Sequence, residues 1–188
     1  MEQLIREAVK VLKGGGVVAF PTDTVYGIGA MPFDKKAVKK LYRIKKREKK
    51  KPIALLVSSK NAASKFAVKI PSRARKLMAK HWPGALTLVF PKRRSVPDLL
   101  TAGLQTIGIR MPKNDIALKL IQKAGGALAV TSANISGGKP ATCAGQIMGM
   151  KGIDLVIDGG KCSIGKPSSV VAVSGNNIRV LRKGSLKL

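Results

Sequence analysis

The segment Phe20-Pro21-Thr22-Asp23-Thr24-Val25-Tyr26-Gly27-Ile28-Gly29 follows a glycine triplet and a short apolar run. The apolar run, residues 17–20, is typical of a buried strand. A proline, two hydroxyls, a carboxylate and two glycines therefore stand directly at a strand end, which is where open α/β sheets bind ligands. The same residue types also form ordinary turns, and the segment taken alone favours a turn.

Three later segments favour a binding site instead. Residues 45–52 contain six basic residues and precede the apolar run 53–57. Residues 106–112 contain a strand that ends in Arg110, and residues 131–137 continue a strand into small polar side chains. Together with the first segment they supply hydroxyls, an amide and fixed cations. Such a set suits a polyanion such as a nucleoside triphosphate.

Strands and helices alternate along the chain, which indicates an α/β fold. Helices are predicted over 4–12 and 37–44, from Ser72 onward, and over 116–121 with Asn114 as the cap. The predicted strands are 17–20, 53–57, 85–90, 106–110, 127–131, 153–157, 170–173 and 178–181. The turn between the last two is too short for a helical crossover, so the sheet should be mixed. At 188 residues, one domain spanning 1–188 is expected.

The charge is strongly unbalanced, with 36 Lys and Arg against 9 Asp and Glu and a net charge of +27. This excess favours binding to polyanions, although a solvated basic surface that keeps the protein soluble would have the same composition. The charge is concentrated in residues 35–51, where eleven of seventeen residues are basic. Aromatic residues make up only 4%, which argues against recognition of single strands by base stacking.

Several classes of protein and site are disfavoured. No apolar run approaches the ~20 residues that span a bilayer, and no secretory signal precedes the first helix, so a cytoplasmic protein is expected. Cys143, Cys162 and the lone His81 have no metal-type spacing, and no protein-held metal is expected. Neither a nucleophile–base pair nor a P-loop motif is present. An enzyme without such a nucleophile would act by positioning its reactants and by neutralising the charge that develops on them.

The four segments, in this order, resemble those of the YrdC-like threonylcarbamoyl-adenylate synthase family. That family has P-T-[DE]-T-V-Y-G, K-x-R-x-x-x-x-P, a strand ending in Arg-x-Pro, and S-A-N-x-S-G, and all four patterns occur here. Residues 168–171 and 179–184 resemble its last two segments. The resemblance extends roughly from Leu4 to Gly184 and corresponds to a short, single-domain form without the extra C-terminal domain of longer members.

The resemblance implies a twisted open mixed sheet with a concave basic face. It implies synthesis of L-threonylcarbamoyl-AMP from L-threonine, bicarbonate and ATP with release of pyrophosphate, for threonylcarbamoylation of the tRNA adenosine next to the anticodon. Mg²⁺ would accompany ATP on its phosphates. A downstream threonylcarbamoyl transferase, and tRNA itself, are the expected partners.

The resemblance also implies roles for individual residues. Lys45 and Arg47 would hold triphosphate and carboxylate oxygens as catalytic residues. Substrate threonine would contact Thr24, Arg110 and Ser132, while the nucleotide would contact Arg47, Thr106, Asn134, Thr142, Ser169 and Arg182. Each has a simpler structural interpretation, such as a strand-end hydroxyl bonded to local backbone, a solvated helix end, a turn amide or a helix cap.

One difference from the family and two alternative functions complete the sequence interpretation. Longer family members have Asn where this chain has Lys51, and His where it has Leu56. A non-catalytic protein that binds double-stranded or structured RNA through phosphate contacts is the alternative. A maturation relative in which such a domain is one module of a large multidomain chain ranks last, because the zinc-finger cysteines expected there are missing.

Overall fold

The computed structural model describes residues 1–46, 48, 50–174 and 177–186. Its α-helices are α1 (Glu2–Lys13), α2 (Lys35–Ile44), α3 (Ser72–His81), α4 (Asp98–Thr101) and α5 (Asp115–Lys123). Its strands are β1 (Val18–Phe20), β2 (Gly27–Ala30), β3 (Ala54–Val57), β4 (Leu86–Pro91), β5 (Thr106–Arg110), β6 (Ala127–Ser132), β7 (Leu155–Val156), β8 (Ser169–Ser174) and β9 (Asn177–Arg182).

Within these described ranges the nine strands form one mixed sheet in the order β7-β1-β2-β6-β3-β5-β4-β8-β9. The pairs β1–β7, β3–β5 and β4–β8 are parallel, and the other neighbours are antiparallel. Ser174 and Asn177 pair at the β8–β9 connection, as the short turn predicts. The predicted α/β fold with an open mixed sheet is confirmed, whereas its concave basic face stays a prediction.

One face of the sheet is covered by the main hydrophobic core. Alternate residues along the strands, such as Ile28, Leu55, Leu88 and Ile109, are buried there together with the apolar side of α2 and part of α3. Alternation follows from strand geometry, because successive side chains point to opposite faces. The strand residues between these buried ones point to the second face of the sheet.

The second face is covered only in part. Helices α1 and α5 bury residues such as Leu12 and Leu120 against Phe20, Leu56 and Leu128 on one half of the sheet. The hydrophobic cluster under α1 and α5 includes no described residue of β5, β4 or β8, which make up the other half. This arrangement leaves an open region where the strands carry small and polar side chains.

Side-chain caps explain where α2 and α5 begin. The Asn114 side chain accepts a hydrogen bond from Ala117 N at 3.0 Å and caps α5, as predicted. The Asp34 carboxylate caps α2 by accepting from Lys36 N and Ala37 N, a cap that the sequence pattern alone does not single out. Within the described residues, no helix combines the length and the apolar character that crossing a membrane requires.

Strand β2 is not predicted from the sequence, because Gly-Ile-Gly-Ala continues a segment rich in turn residues. The structure gives a packing reason for its glycines. A Cβ on Gly27 would lie 2.7 Å from Val130 Cγ1, and one on Gly29 would lie 2.9 Å from Phe20 Cε1. The glycines therefore make room for large side chains of the two adjacent strands. The short helix α4 is likewise not predicted, and the strand predicted at 153–157 is limited to β7.

Candidate functional site

A cleft of about 690 Å³ lies over the uncovered half of the second sheet face. Its wall follows the strand alternation, with Gly108 and Arg110 from β5, Thr87 and Val89 from β4, and Ser132 from β6. The lining combines small residues such as Gly108 with apolar and polar side chains. The described residues that carry these polar groups include Thr22, Thr24, Lys51, Thr87, Thr106, Arg110, Ser132, Ser168 and Arg182.

Arg110 lines the cleft, although its side chain is only 7% exposed. Its Nη2 donates to Asp23 Oδ1 at 2.5 Å, its Nη1 to Thr24 Oγ1 at 2.8 Å and its Nε to Gly84 O at 2.8 Å. Burial lowers the pKa of Arg110, and the Asp23 carboxylate partly offsets that effect. The anionic partner expected for a buried arginine is therefore present within the protein. Two of the five guanidinium N–H groups are left for other acceptors.

Thr22 and Thr24 have a fixed donor and acceptor arrangement. Thr22 Oγ1 donates to Val25 O at 2.7 Å, and since a carbonyl can only accept, the Thr22 proton is committed there. The contact of 3.0 Å between the two hydroxyls must then use the Thr24 proton. Thr24 Oγ1 also accepts from Arg110. At the cleft wall Thr24 can consequently act only as an acceptor.

Ser132 is held in the same way by groups behind it. Its hydroxyl donates to Asn134 Oδ1 at 2.7 Å. The Asn134 amide orientation is fixed in turn, because Nδ2 donates to Ile135 O at 2.8 Å and Gly138 O at 2.6 Å. Lys45, which is 1% exposed, donates from Nζ to oxygens of both residues. Ser132 therefore also presents acceptor capacity at the cleft wall.

A second cationic group lies on the β8–β9 side of the cleft. Arg182 Nη2 donates to Ser168 O at 2.7 Å and to Ser168 Oγ at 3.2 Å. Ser168 Oγ is also 2.8 Å from Thr87 Oγ1. Ser168 and Thr87 are not among the residues singled out from the sequence. Two sequence features could have indicated them. Thr87 is a polar residue between apolar neighbours in a predicted strand, and Ser168 is one of two adjacent serines.

The predicted site residues fall into four groups. Thr24, Thr106, Arg110, Ser132 and Arg182 line the cleft together. Lys45 and Asn134 lie behind Ser132. Arg47 lies outside the described residues.

Thr142 and Ser169 form the fourth group and are not among the described residues that line the cleft. The Thr142 backbone N donates to Gln146 Oε1 at 2.7 Å, with its hydroxyl 3.3 Å from the same oxygen. Ser169 is 1% exposed, and its hydroxyl donates to Leu186 O and accepts from Gly184 N. Their predicted nucleotide contacts stay predictions.

The acidic side chains around the cleft offer little to a metal ion. No group of three or more His, Cys, Asp or Glu side chains in the described part of the chain could hold one. Asp23 is the buried carboxylate near the cleft, and its Oδ1 already accepts from Arg110 and from Lys113 N. Cys143 and Cys162 are free thiols, and burial raises the pKa of Cys162.

Comparison with known proteins gives a consistent picture. A family model described as "Telomere recombination", which covers Sua5, YciO and YrdC, matches residues 10–184. The chain is similar to the threonylcarbamoyl-AMP synthase of Pyrococcus abyssi, with 40% identity over all of this chain and 56% of that protein. It is 37% identical to the enzyme of that name from Bacillus subtilis, over 97% of this chain and 54% of the relative. The chain thus spans little more than half the length of these two relatives.

Solved structures agree. The structure of Pyrococcus abyssi Sua5 complexed with L-threonine matches with a TM-score of 0.94 and 40% identity, covering 98% of this chain and 55% of that one. Escherichia coli YciO matches with a TM-score of 0.87 and 28% identity, over 98% of this chain and 90% of its own. Both similarities extend across the sheet and the cleft described above.

Proposed function

Because the chain belongs to the Sua5/YciO/YrdC family, we propose that it synthesises L-threonylcarbamoyl-AMP from L-threonine, bicarbonate and ATP. The observation that carries the proposal is the pairing of groups at one end of the cleft. Arg110 has N–H groups left for an anion, while Thr24 and Ser132 offer only acceptors. An α-amino acid carries the complementary pair, a carboxylate and an N–H donor.

In this proposal the threonine carboxylate binds the two remaining N–H groups of Arg110. The amino group donates to Thr24 Oγ1 and Ser132 Oγ. These contacts orient the nitrogen without adding a proton to it, because neither hydroxyl has a proton left to give. The similar P. abyssi protein has been solved in complex with L-threonine, which supports threonine as the substrate. Serine would make the same polar contacts but would lack the methyl group.

The nucleotide is proposed to bind toward the β8–β9 side. Arg182 and Ser168 are proposed to bind its polar groups, with Thr106 on the adjacent wall, while apolar residues such as Val89 and Leu181 contact the base. Arg47 is proposed to bind the triphosphate on the strength of the resemblance alone. The nucleotide contacts proposed for Thr142 and Ser169 are also based on the resemblance alone. Lys51 and Leu56, which differ from longer members, both line the cleft, and Leu56 lies where the covered half meets the open half.

The chemistry needs no covalent enzyme intermediate. The threonine nitrogen forms a bond to the carbon of bicarbonate, with loss of an N–H proton and release of water, to give an N-carboxylate. An oxygen of this carboxylate attacks the α-phosphorus of ATP, and the bond to pyrophosphate breaks. Fixed cations stabilise the anionic reactants and the charge that develops on the phosphoryl oxygens. Mg²⁺ would enter on the ATP phosphates, since Asp23 Oδ1 is already bonded to Arg110 and Lys113 N and the described residues contain no cluster of three or more metal-ligating side chains.

The product is expected to serve threonylcarbamoylation of tRNA by a separate transferase. We place this reaction in the cytoplasm, where ATP and tRNA are available, and we propose residues 1–188 as one domain. Any direct tRNA binding would be electrostatic, given the +27 charge. It should weaken steeply with salt, by roughly a thousandfold over a fourfold rise if about six phosphate contacts form.

The test is incubation with ATP, bicarbonate and labelled threonine, followed by chromatography for the acyl-adenylate. Pyrophosphate release should require all three reactants, and replacing threonine by serine should reduce it. Equal release without threonine would contradict the proposed substrate. Salt-resistant, sequence-selective RNA binding without any acyl-adenylate would instead favour the RNA-binding alternative.

A further inference from the structure

Lys45 is a buried cation that does not line the cleft as the structure stands. Its Nζ lies 2.7 Å from Ser132 O, 3.0 Å from Asn134 O, 2.7 Å from Asn134 Oδ1 and 3.3 Å from Ser132 Oγ. An ammonium has three protons, so these four oxygens account for its whole donor capacity. The Lys45 backbone carbonyl also accepts from Ser136 N at 2.8 Å. Side chain and backbone together hold the 132–136 segment.

The ammonium also determines which way the Ser132 hydroxyl points. Lys45 donates toward Ser132 Oγ, so the serine proton must point elsewhere, and it is given to Asn134 Oδ1. Asn134 Oδ1 accepts from both partners, and its amide cannot turn because Nδ2 is bonded to two carbonyls. The result is a Ser132 oxygen that faces the cleft as an acceptor.

We infer that Lys45 is a positioning residue that acts through Ser132 and Asn134 to keep the amino-group subsite free of competing donors, and that it does not bind the triphosphate. The inference rests on the proposed function, since it takes the Ser132 subsite to bind the threonine amine. It differs from the role that the family resemblance implies for Lys45, and it places Asn134 in the same supporting group.

Removal of the ammonium should therefore affect one substrate and not the other. Without it, Ser132 can rotate and direct its proton into the cleft, where it would oppose the N–H groups of threonine. A lost charge-assisted hydrogen bond network should raise the dissociation constant for threonine by roughly tenfold to a hundredfold. The ATP site is separate from this network, so the dissociation constant for ATP should change by less than about threefold.

The experiment measures threonine and ATP binding separately by calorimetry, together with KM for each, in Lys45→Met. Lys39→Met, an exposed cation on α2, is the matched control and should leave both constants unchanged. Ser132→Ala should lose threonine affinity with ATP binding retained. The double variant Lys45→Met/Ser132→Ala should be no worse than the poorer single variant, because both act on one interaction.

A loss of ATP affinity greater than tenfold in Lys45→Met, with threonine affinity kept, would overturn the inference. If Lys45→Met does not fold, Asn134→Ala takes its place. It should weaken threonine binding alone, whereas a nucleotide contact of Asn134 would weaken ATP binding and contradict the inference. A wild-type protein that binds threonine but forms no acyl-adenylate would overturn the proposed function only, and one that binds no threonine would overturn both.

Discussion

The two halves of the second sheet face have the same strand geometry but opposite surroundings. On the covered half, Phe20 and Leu128 are fully buried under α1 and α5. On the open half, the equivalent alternate positions are Gly108, Thr87 and Arg110, which line the cleft. Burial of apolar surface stabilises the fold in the first half, while the second half leaves its surface for ligands. Substitutions in the two halves should therefore separate stability from activity.

Arg110 should break this separation, because it lies on the open half and is also buried. In Arg110→Met we expect acyl-adenylate formation to fall to background and the free energy of unfolding to fall by about 3–5 kcal/mol, since Asp23 keeps a buried charge without its partner. Urea denaturation and the synthase assay measure the two effects. Adding Asp23→Asn should restore part of the stability and none of the activity. A fully stable single variant would show that the ion pair is not structural.

Leu120 tests the covered half. It is fully buried between α5 and the sheet, and Leu120→Ala should reduce the free energy of unfolding by about 2–5 kcal/mol through lost contacts and a cavity. Below the unfolding transition, kcat and KM should equal those of the wild type. Lys119→Ala, at the exposed neighbouring position, is the control and should change neither property. A change in KM for either substrate would mean that the two halves are coupled.

Gly108 tests the floor of the open half. A Cβ there would lie 3.3 Å from Thr87 Cγ2 and 3.7 Å from Ala54 Cβ, and it would project from the cleft-lining face. Gly108→Ala should keep the free energy of unfolding within about 1 kcal/mol, because alanine also loses less chain entropy than glycine. Turnover should fall, as the side chain takes space from the reactants. Gly145→Ala, where a Cβ has no neighbour within 4 Å, is the control.

Asp154 belongs to neither half and should have the smallest effect. Burial alone would raise its pKa, but hydrogen bonds from Lys40 and Val17 N outweigh burial and lower it. A lowered folded-state pKa stabilises the protein above the unfolded value near pH 3.9 and loses that contribution as pH falls through the folded value. Asp154→Asn should therefore cost about 0.5–1 kcal/mol at neutral pH and reduce the loss of stability in acid. Glu7→Gln on α1 is the control. If the free energy of unfolding of Asp154→Asn falls with pH in acid as steeply as that of the wild type, the prediction is contradicted.

Most strands could be predicted from the sequence, because short β-branched and apolar runs such as 53–57 and 170–173 are typical of buried strands. Strand β2 could not, because Gly27 and Gly29 are selected by Phe20 and Val130 on neighbouring strands. A contact between strands that are distant in the chain leaves no local pattern. For the same reason, the sequence could not show which half of the second sheet face stays uncovered, because that depends on contacts between distant segments.

The sequence predicted those cleft-lining residues that lie within a motif, namely Thr24, Arg110 and Ser132. The sequence could not show that Lys45 turns inward to Ser132, because a lysine at a helix end usually extends into solvent. Thr87 and Ser168 were missed because a single hydroxyl on a strand has no distinctive spacing. Their role depends on the β4–β8 pairing, which joins segments about eighty residues apart.

That pairing has a consequence for the protein during its synthesis. The cleft joins Thr22 near the start of the chain to Arg182 near its end, and β8 must enter beside β4 before the wall is complete. On a ribosome that adds roughly 5–20 residues each second, the covered half can assemble while the substrate wall is still missing. A nascent chain should therefore be able to fold in part, while the proposed synthesis should not begin until β9 has left the exit tunnel. Onset of acyl-adenylate formation during translation in vitro would time that last step.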